Sequence, residues 1–374
     1  MFLKLKYYSF FILIFFSSTC IGQNREEVLK TKLDSVFSQL FKADEPGGSI
    51  LIQEGDKVLY EKSFGLADLK TKAKFSSKTV SNLGSITKTF VAYGILMLQE
   101  RKKLSVDDSL LKFFPDFKNK ETASKIKLRH LLTHTSGLPD NRNVEKDSIF
   151  YLTAKDEGNF KPLKSAESLE FEPGSRWNYS NPAYNGLALI IEKTSKDKWQ
   201  HFIDENIFGP AGMKNSTITN GAYPNKNVAH GYLLKNKVYQ EYDYGEYPTF
   251  TAAGNGGVWS SIEDLKKYIK AINECKFADC SVIKSSKTIK IPDNWNHEKN
   301  MFHSGVWFVH KGFYSETKTE EQVDVIEHAG DQGGFKSHLI IIPEKNISIV
   351  WLTNNNTFIT GPIRRILLQL NYIN

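Results

Sequence analysis

The chain of 374 residues has only three cysteines, and it has no dense block of basic residues, no internal repeat and no low-complexity linker. After residue 22, no window approaches the ~20 apolar residues that a membrane-spanning helix needs. The formal net charge of +7 is spread along the chain, and a dispersed charge bears on solubility more than on nucleic-acid binding. Hydrophobic residues make up 40% of the chain, so the sequence predicts a globular protein with no nucleic-acid partner.

Residues 1–22 have the pattern of a secretory signal peptide. Lys4 and Lys6 precede an apolar run over residues 10–16, and small residues then lead to Gly22. Cleavage after Gly22 would make the mature protein secreted or periplasmic. An uncleaved membrane anchor is the alternative, for which the apolar run is short.

The three cysteines leave two questions open. Cys20 would carry a lipid anchor if the N-terminal segment were a lipoprotein signal, and only lipidation or an uncleaved segment would attach the protein to a membrane. Ser17 stands three positions earlier, where a bulky aliphatic residue is expected. Cys275 and Cys280 could form a local disulfide in an exported protein, and two free buried thiols fit the sequence equally well.

Apolar periodicity predicts that a helix and a hairpin open the chain, that helices fill its middle, and that strands and a helix close it. Helices are predicted at 25–41, from residue 85 to about 103, and at 126–132, 183–193 and 358–371, with another after Ser261. Strands are predicted at 48–53, 58–60, 306–309, 323–326, 339–342 and 347–352. Residues 140–170 are polar and poorly periodic, so we expect them on the surface.

Ser85 and Lys88 form a Ser-x-x-Lys tetrad at the start of the long apolar helix. Residues three apart lie on one face of a helix, so the lysine nitrogen can reach the serine hydroxyl. The serine N–H is also one of the unpaired donors at the helix N-terminus. The tetrad thus supplies a nucleophile, a base and half of an oxyanion hole. The same spacing recurs at Ser109, Ser124, Ser195 and Ser281, which open no comparable helix.

Tyr179 and Asn181 alternate with Ser180 just before the helix predicted at 183–193. In an extended segment, side chains two residues apart point the same way, so both could face one cleft. The alternative is a turn with a helix N-cap, which Ser180 or Asn181 would serve well.

Two further patterns suggest ligand sites that the sequence does not support. His130 and His134 are four residues apart, but Leu131 stands where the zinc metalloprotease motif needs glutamate, and no third ligand is near. We therefore predict no metal and no other cofactor. The glycine-dense residues 254–257 lack the Gly-Lys-Ser/Thr ending of a phosphate loop, and Ser261 after them is a predicted helix N-cap.

Taken together, these stretches resemble the serine β-lactamase and penicillin-binding-protein superfamily, above all its class C β-lactamase-like branch of D-Ala-D-Ala carboxypeptidases and esterases. The three motifs of that superfamily stand here as Ser85-x-x-Lys88, Tyr179-x-Asn181 and His328-x-Gly330. The resemblance covers roughly residues 25–372 and implies a single hydrolase domain over 23–374. It implies an α/β part built from both chain ends, with an antiparallel sheet flanked by the N- and C-terminal helices. An all-α part would occupy roughly residues 95–250, with the cleft between the two.

The resemblance also implies roles for the site residues. Ser85 would attack a carbonyl carbon and form an acyl-enzyme, and either Lys88 or Tyr179 would take its proton; the sequence does not choose between them. Asn181 would orient the substrate and the lysine. The N–H groups of Ser85 and Asp331 would form the oxyanion hole, which requires the Asp331 side chain to point away.

His328 departs from the β-lactamase pattern, because those enzymes carry lysine at this position. A lysine suits a substrate carboxylate, whereas histidine is only partly charged at pH 7. With Gly330 and Asp331, His328 would line the substrate-binding strand. We therefore predict an exported serine hydrolase acting on an ester or a peptide, with D-amino-acid and cell-wall peptides among the candidates. The alternatives are a penicillin-recognising or peptide-binding protein with little turnover, and a true β-lactamase. The oligomeric state is left open.

Overall fold

The computed structural model describes residues 24–140, 142, 154–219, 223–242, 253–289, 291–296, 302–311 and 324–373. The predicted signal peptide lies outside these residues. The strands are β1 (Gly48–Glu54), β2 (Lys57–Phe64), β3 (Ser81–Asn82), β4 (Thr217–Ile218), β5 (Tyr232–Lys235), β6 (Val238–Glu241), β7 (Val258–Ser260), β8 (Phe302–His303), β9 (Phe308–Lys311), β10 (Asp324–Gln332), β11 (Phe335–Ile342) and β12 (Ile347–Thr353).

The helices surround the largest of the sheets that these strands form. They are α1 (residues 24–40), α2 (Thr87–Glu100), α3 (Leu110–Phe113), α4 (Lys120–Lys125), α5 (Leu128–Leu132), α6 (Asp156–Lys164), α7 (Asn181–Ser195), α8 (Trp199–Ile203), α9 (Gly209–Ala211), α10 (Ile262–Asn273), α11 (Cys280–Ser286) and α12 (Thr360–Gln369). A 3-10 turn, Gly84–Ile86, leads directly into α2. No helix of the described residues is both long enough and apolar enough to span a bilayer.

Seven antiparallel strands form the central sheet in the order β2-β1-β12-β11-β10-β9-β8. The first two come from the start of the chain, and β12 closes the gap between them and the C-terminal strands through the pairing of Ile50 with Trp351. The predicted hairpin of β1 and β2 is confirmed. The sheet thus brings both ends of the chain together, as the predicted fold class requires.

Both faces of the sheet are buried, and alternate residues of each strand serve different cores. Ile50 and Ile52 pack with α1 and α12 in one cluster, whereas Leu51 between them belongs to the larger cluster on the other face. All seven residues of β12 are buried, because a strand covered on both faces has no solvent side to hold polar residues. On the second face, α10 packs against β12 and β1, and the 3-10 turn before α2 packs against β10 and β11, so the start of α2 lies over the middle of the sheet.

The observed elements differ from the predicted ones in three places. The strand predicted at 323–326 extends through Gln332, so the third motif lies on β10 itself. Residues 140–170 are not all surface, since α6 begins at Asp156 and buries that carboxylate, as well as Phe160. The helical region predicted over 95–250 also contains β4, β5 and β6.

Cys275 and Cys280 form a disulfide, with their Cα atoms 5.2 Å apart. This resolves the alternative that the sequence left open. The bond closes the short loop between α10 and α11, at the edge of the helical layer.

Candidate active site

The turn that carries Ser85 is held tightly against the sheet. The Gly84 N–H donates to Asn82 Oδ1 at 2.8 Å, and Ser337 Oγ on β11 donates to the Leu83 carbonyl at 2.8 Å. Gly84 has a φ of +49°, and a Cβ there would lie 2.8 Å from the backbone nitrogen of Asp331. Only glycine allows this approach, which places the Asp331 amide on β10 beside the turn of Ser85.

Ser85 Oγ is the meeting point of two side chains that the sequence singled out. Lys88 Nζ lies 2.9 Å from it, and the Tyr179 hydroxyl donates to it, also at 2.9 Å. The Lys88 nitrogen lies 5.1 Å from the centre of the Tyr179 ring. Ser85 itself is half-buried, so a reagent from solvent can reach a hydroxyl that both side chains contact.

Lys88 is fully buried and has an unusual set of partners. Besides Ser85, its nitrogen donates to the backbone carbonyl of Asn255 at 2.7 Å. Burial lowers the pKa of the Lys88 ammonium well below its ordinary value, and the charge of Arg142 lowers it further. A neutral amine has one lone pair and two N–H groups, so it can donate to the carbonyl and still accept the serine proton.

Tyr179 reaches Ser85 from the segment just before α7. Ser180 is the N-cap of α7, with its hydroxyl accepting from the Ala183 N–H, so the N-cap interpretation holds together with the cleft interpretation for Tyr179. The Ser180 N–H donates to His134 Nδ1 at 3.0 Å, and the rings of His134 and Tyr179 are 4.4 Å apart. His134 therefore packs against Tyr179 and holds the loop before α7.

Asn181 is the first residue of α7 and does not bond Lys88 among the contacts of the described residues. Its side-chain oxygen is buried and has no hydrogen-bond partner within the described part of the chain. Lys88 Nζ donates instead to the Asn255 carbonyl. An unpaired buried carbonyl costs free energy, so Asn181 remains available for an N–H donor on a substrate.

The third motif lies on β10, where Gly330 packs against the turn of Ser85. A Cβ on Gly330 would stand 2.0 Å from the Leu83 carbonyl oxygen and 2.4 Å from Ser337 Oγ. Asp331 turns its carboxylate outward, where it is 68% exposed and pairs with Lys336 at 2.5 Å. Its carboxylate thus does not oppose negative charge near Ser85, and its N–H lies on the side of Gly84.

Replacing Gly330 by alanine is expected to damage the site more than the fold. The added methyl must displace the Leu83 carbonyl and with it the Ser85 turn, so we expect labelling of Ser85 by a fluorophosphonate to slow by about 100-fold. Overpacking is expected to lower the free energy of unfolding by about 1–3 kcal/mol. Gly361→Ala is the control, since a Cβ there meets nothing within 4 Å. Equal labelling rates in both variants would contradict the expected contact.

Three buried histidines line the site beside Ser85. The ring of His303 lies 4.9 Å from that of His134 and 6.1 Å from that of His328. His328 Nδ1 is 2.9 Å from the Ala329 carbonyl, which can only accept. The neutral His328 ring therefore carries its hydrogen on Nδ1 and leaves an acceptor at Nε2. His134 has the opposite tautomer, because its Nδ1 accepts from Ser180.

All three rings are held neutral. Burial, then His303 and Lys88, lower the pKa of His328 well below its ordinary value. Burial and Lys88 lower the pKa of His303 to about 3. Burial and the two other histidines also lower the pKa of His134. The position where β-lactamases carry a lysine thus presents a neutral hydrogen-bond acceptor here.

Reasoning from the sequence missed three residues in or behind this site. His303 belongs to no motif, and the Asn255 carbonyl is a backbone group, whose direction only the tertiary structure sets. Asp156 lay in the stretch predicted to be surface, yet it is 6% exposed. In the described residues, the potential metal ligands that cluster in a set of three are the mostly exposed Asp197, His201 and Glu205, away from these groups.

Sequence comparison agrees with the motif pattern. The chain matches the family model described as Beta-lactamase over residues 33–371. Penicillin-binding protein 4* of Bacillus subtilis (strain 168) is 28% identical over 346 residues, covering 89% of this chain and 72% of that protein. Protein flp of Staphylococcus aureus (strain MW2) is 28% identical over 332 residues, covering 87% of this chain and 63% of that longer protein.

Solved structures share the fold. The octameric penicillin-binding protein homologue from Pyrococcus abyssi superposes with a TM-score of 0.73 at 27% identity, covering 91% of this chain and 77% of that one. The D-amino acid amidase from Ochrobactrum anthropi SV3 gives a TM-score of 0.72 at 19% identity, covering 93% and 99%. At that identity, the second likeness concerns the fold alone.

Proposed function

The chain belongs to the beta-lactamase family, within the superfamily of serine β-lactamases and penicillin-binding proteins, and from that premise we propose that it is an exported serine hydrolase that forms an acyl-enzyme on Ser85. Its substrate is an ester or a peptide, with D-amino-acid and cell-wall peptides as the candidates. The observation that carries the proposal is the convergence of Lys88 and Tyr179 on one half-buried hydroxyl, each at 2.9 Å.

The proposed reaction begins at Ser85. Its oxygen attacks the substrate carbonyl carbon while its proton passes to Lys88 Nζ or to the Tyr179 oxygen. The N–H groups of Ser85 and Asp331 stabilise the negative oxygen of the tetrahedral intermediate. Collapse of the intermediate breaks the bond to the leaving group, which takes the proton. Water then attacks the acyl-enzyme by the same steps, releases the acid and restores the serine hydroxyl.

The environment of Lys88 favours it as the first proton acceptor. Burial lowers the pKa of the Lys88 ammonium and so favours the neutral amine, and the Asn255 carbonyl accepts from one of its N–H groups. Its lone pair is thereby directed toward Ser85. When the amine takes the proton, its positive charge lies 5.1 Å from the centre of the Tyr179 ring, a distance at which aromatic rings attract cations. Tyr179 then stands ready to pass a proton to the leaving group.

The edge of β10 supports an extended substrate. Within the described residues, β9 pairs with β10 only from Asp324 to Glu327, which leaves residues 328–332 unpaired on that side. A peptide can add to such an edge as a further strand. The scissile carbonyl would then lie beside the Asp331 N–H and within reach of Ser85.

His328 argues against selection for a carboxylate. Its ring is neutral and offers an acceptor at Nε2, whereas a carboxylate needs a donor or a cation. An N–H or O–H group of a substrate fits this acceptor, and a substrate without a carboxylate avoids an unfavourable contact with it. The esterase or peptidase interpretation is therefore preferred over a β-lactamase. The relatives that are named for penicillin binding keep the slow-acylating alternative as the second candidate.

Export is part of the proposal because two features agree with it. The first 22 residues have the signal-peptide pattern, and the Cys275–Cys280 disulfide is of a kind that persists in oxidising compartments. Cell fractionation with the mature mass measured by mass spectrometry tests this part. A mature chain that begins at Gln23 is expected, and an intact N-terminus in the cytoplasm would contradict it.

Intact-protein mass spectrometry tests the proposal directly. The full-length mature protein is incubated separately with a fluorophosphonate, a short p-nitrophenyl ester and a penicillin. We expect a single stable fluorophosphonate adduct on Ser85, turnover of the ester and no turnover of the penicillin. A penicillin adduct that persists for hours, without turnover of any ester or peptide, would favour the penicillin-recognising alternative. No adduct with any probe would contradict both.

His328→Lys is expected to shift selectivity toward carboxylate-bearing substrates. A lysine there would offer a charged donor, and hydrogen bonds to charged groups contribute about 1.5–3 kcal/mol, or roughly 10–100-fold in relative rate. The measurement is the ratio of penicillin acylation rate to ester acylation rate. His328→Gln is the matched neutral control and should leave the ratio near that of the wild type. An unchanged ratio in His328→Lys would show that this position does not select the substrate.

A further inference from the structure

The carboxylate of Asp156 lies behind the Ser85 site, where four separate elements meet. Asp156 is the first residue of α6. Its Oδ1 accepts from Asn185 Nδ2 on α7 at 2.7 Å and from the Gly254 N–H at 2.8 Å. Its Oδ2 accepts from Trp199 Nε1 on α8 at 2.9 Å. None of these three donors can take a proton from the carboxyl group, so the cage is built for the anion.

One short peptide segment, residues 254–255, connects this cage to Lys88. Asn185 Nδ2 also donates to Asn255 Oδ1 at 3.1 Å. The segment is thus fixed at the Gly254 N–H by Asp156 and at the Asn255 side chain by Asn185. The backbone carbonyl of Asn255 accepts a hydrogen bond from Lys88 Nζ at 2.7 Å. The direction of that carbonyl decides where the lysine lone pair points.

Packing leaves this segment no alternative position on its α7 side. A Cβ on Gly254 would lie 2.6 Å from the Ala188 Cβ and 2.8 Å from the Tyr184 carbonyl oxygen. The segment therefore lies directly on α7, and Asp156 supplies the acceptor that its N–H needs there. Without that acceptor, a buried N–H would be unpaired at a cost comparable to a lost hydrogen bond.

We propose that Asp156 is a positioning residue of the Ser85 site, whose carboxylate fixes residues 254–255 so that the Asn255 carbonyl holds the Lys88 amine in register with the serine hydroxyl. This inference rests on the proposed function of Ser85 and Lys88. Asp156 contacts neither of them. Its effect reaches the reaction through Gly254, Asn185 and Asn255, so it changes the rate of acylation and not the binding of substrate.

The ionisation of Asp156 supports a role beyond folding. Burial raises its pKa to about 7, although the three hydrogen bonds lower it in part. Because the folded pKa lies above the ordinary 3.8, the group's contribution to stability is fully present below pH 3.8 and is lost as the pH rises through about 7. At neutral pH and above, the anion thus destabilises the fold, and an asparagine of the same shape would avoid this cost.

Charged and titratable groups of the described residues pack around Asp156. Its own helix brings Glu157, which raises its pKa. The cavity of about 400 Å³ on its solvent side is lined by charged or titratable side chains from three segments, namely Lys155, Glu157, Glu192, Lys198 and His201. On the inner side, Arg142 bonds Asn159 one turn along α6 at 2.7 Å. Protonation of Asp156 would put an O–H among three donors, so we expect the cage around the carboxylate to loosen as the pH falls through 7.

The test compares Asp156→Asn with Asp264→Asn, a carboxylate that is also fully buried and accepts from Asn215 and Ser216 away from the site. Fluorophosphonate labelling of Ser85 and ester turnover are measured from pH 5 to pH 9. For Asp156→Asn we expect kcat to fall about 10–100-fold at pH 8 with KM within about two-fold of the wild type. The acid limb of labelling should lose the proton that Asp156, with a pKa of about 7, contributes in the wild type. Asp264→Asn should lower Tm and leave the acid limb of the labelling profile as in the wild type.

A second variant and a second readout guard against a folding artefact. Asn255→Ala keeps the backbone carbonyl but loses the Asn185 anchor, so it should show a smaller loss in kcat with KM unchanged. As the pH rises from 4 to 7, the Tm of the wild type should fall relative to that of Asp156→Asn. Wild-type kcat and an unchanged acid limb in Asp156→Asn would overturn the inference and leave the role of Ser85 intact. Absence of any Ser85 labelling in the wild type would instead overturn the proposed function, and the inference with it.

Discussion

Ser85→Ala is expected to abolish covalent labelling and to lower ester turnover by at least about 10⁴-fold, the scale seen when a serine hydrolase loses its nucleophile. The reason is geometric. Ser85 Oγ is the atom on which Lys88 Nζ and the Tyr179 hydroxyl converge, and alanine has no atom at that position. The measurement is kcat/KM on a p-nitrophenyl ester together with intact mass after fluorophosphonate treatment.

The fold should survive this substitution. Ser85 is half-buried in a 3-10 turn, and the alanine loses hydrogen bonds that contribute only about 1 kcal/mol each. Ser124→Ala is the matched control, because Ser124 also starts a Ser-x-x-Lys tetrad. Its hydroxyl donates to the Glu121 carbonyl of its own helix, far in sequence from the site motifs. Turnover in Ser85→Ala equal to that of Ser124→Ala would rule out acyl-enzyme chemistry at this site.

Lys88→Met is expected to lower the acylation rate by about 10²–10⁴-fold, the usual contribution of a general base. Methionine fills similar volume without an amine, so the serine keeps its place while losing its proton acceptor. The measurement is the rate of fluorophosphonate labelling at pH 8. The residual labelling rate would measure how well Tyr179 alone acts as the proton acceptor. Labelling at the wild-type rate would assign the base to Tyr179.

The same substitution has a distinct signature in stability. The pKa of Lys88 is lowered in the folded protein, so the unfolded chain binds its proton more tightly. Wild-type stability should therefore rise with pH, from the lowered folded pKa up to the ordinary value of 10.5, as the unfolded lysine loses its proton. Lys88→Met should lack this rise. At pH 7, its free energy of unfolding should lie within about 1–2 kcal/mol of the wild type, since the lost hydrogen bond offsets the relief from desolvation.

Lys287→Met provides the control for this pair of readouts. Burial alone lowers the pKa of Lys287, and none of the three motifs contains it. We expect Lys287→Met to lose part of the rise of stability with pH and to label Ser85 at the wild-type rate. A loss of labelling in both lysine variants would mean that the effect comes from general loosening of the fold.

Much of the site could be predicted from the sequence because its chemistry is local. Ser85 and Lys88 are three residues apart on one helical turn, and that spacing alone brings their side chains together. Tyr179 was predicted from an alternating pattern before a capped helix, and its 2.9 Å contact with Ser85 Oγ agrees with that prediction. The strands of the sheet were predictable because both of its faces are buried, which gives long apolar runs such as β12.

Asn181 shows where such reasoning fails. Its position in the motif suggested a contact with the lysine, yet the lysine bonds the Asn255 carbonyl. A backbone carbonyl has no identity in the sequence, and its direction depends on how residues 253–257 turn. The prediction that Asp156 lies on the surface was wrong for a related reason. A polar, weakly periodic stretch does not indicate that its carboxylate will accept hydrogen bonds from Asn185 and Trp199.

The sequence by itself determined the family, the antiparallel sheet built from both chain ends, and the identity of the serine and the lysine. The serine and the lysine follow from residue spacing within one element and the individual strands and helices from periodicity, whereas the family and its antiparallel sheet follow from the resemblance that the three motifs carry together. Only the tertiary structure decided that His328 is neutral, that its free ring atom is an acceptor, and that Asp156 stands behind the lysine. Burial, tautomer and the direction of a backbone carbonyl depend on groups far apart in the chain, such as His303, β10 and α8, which meet only when the two halves pack.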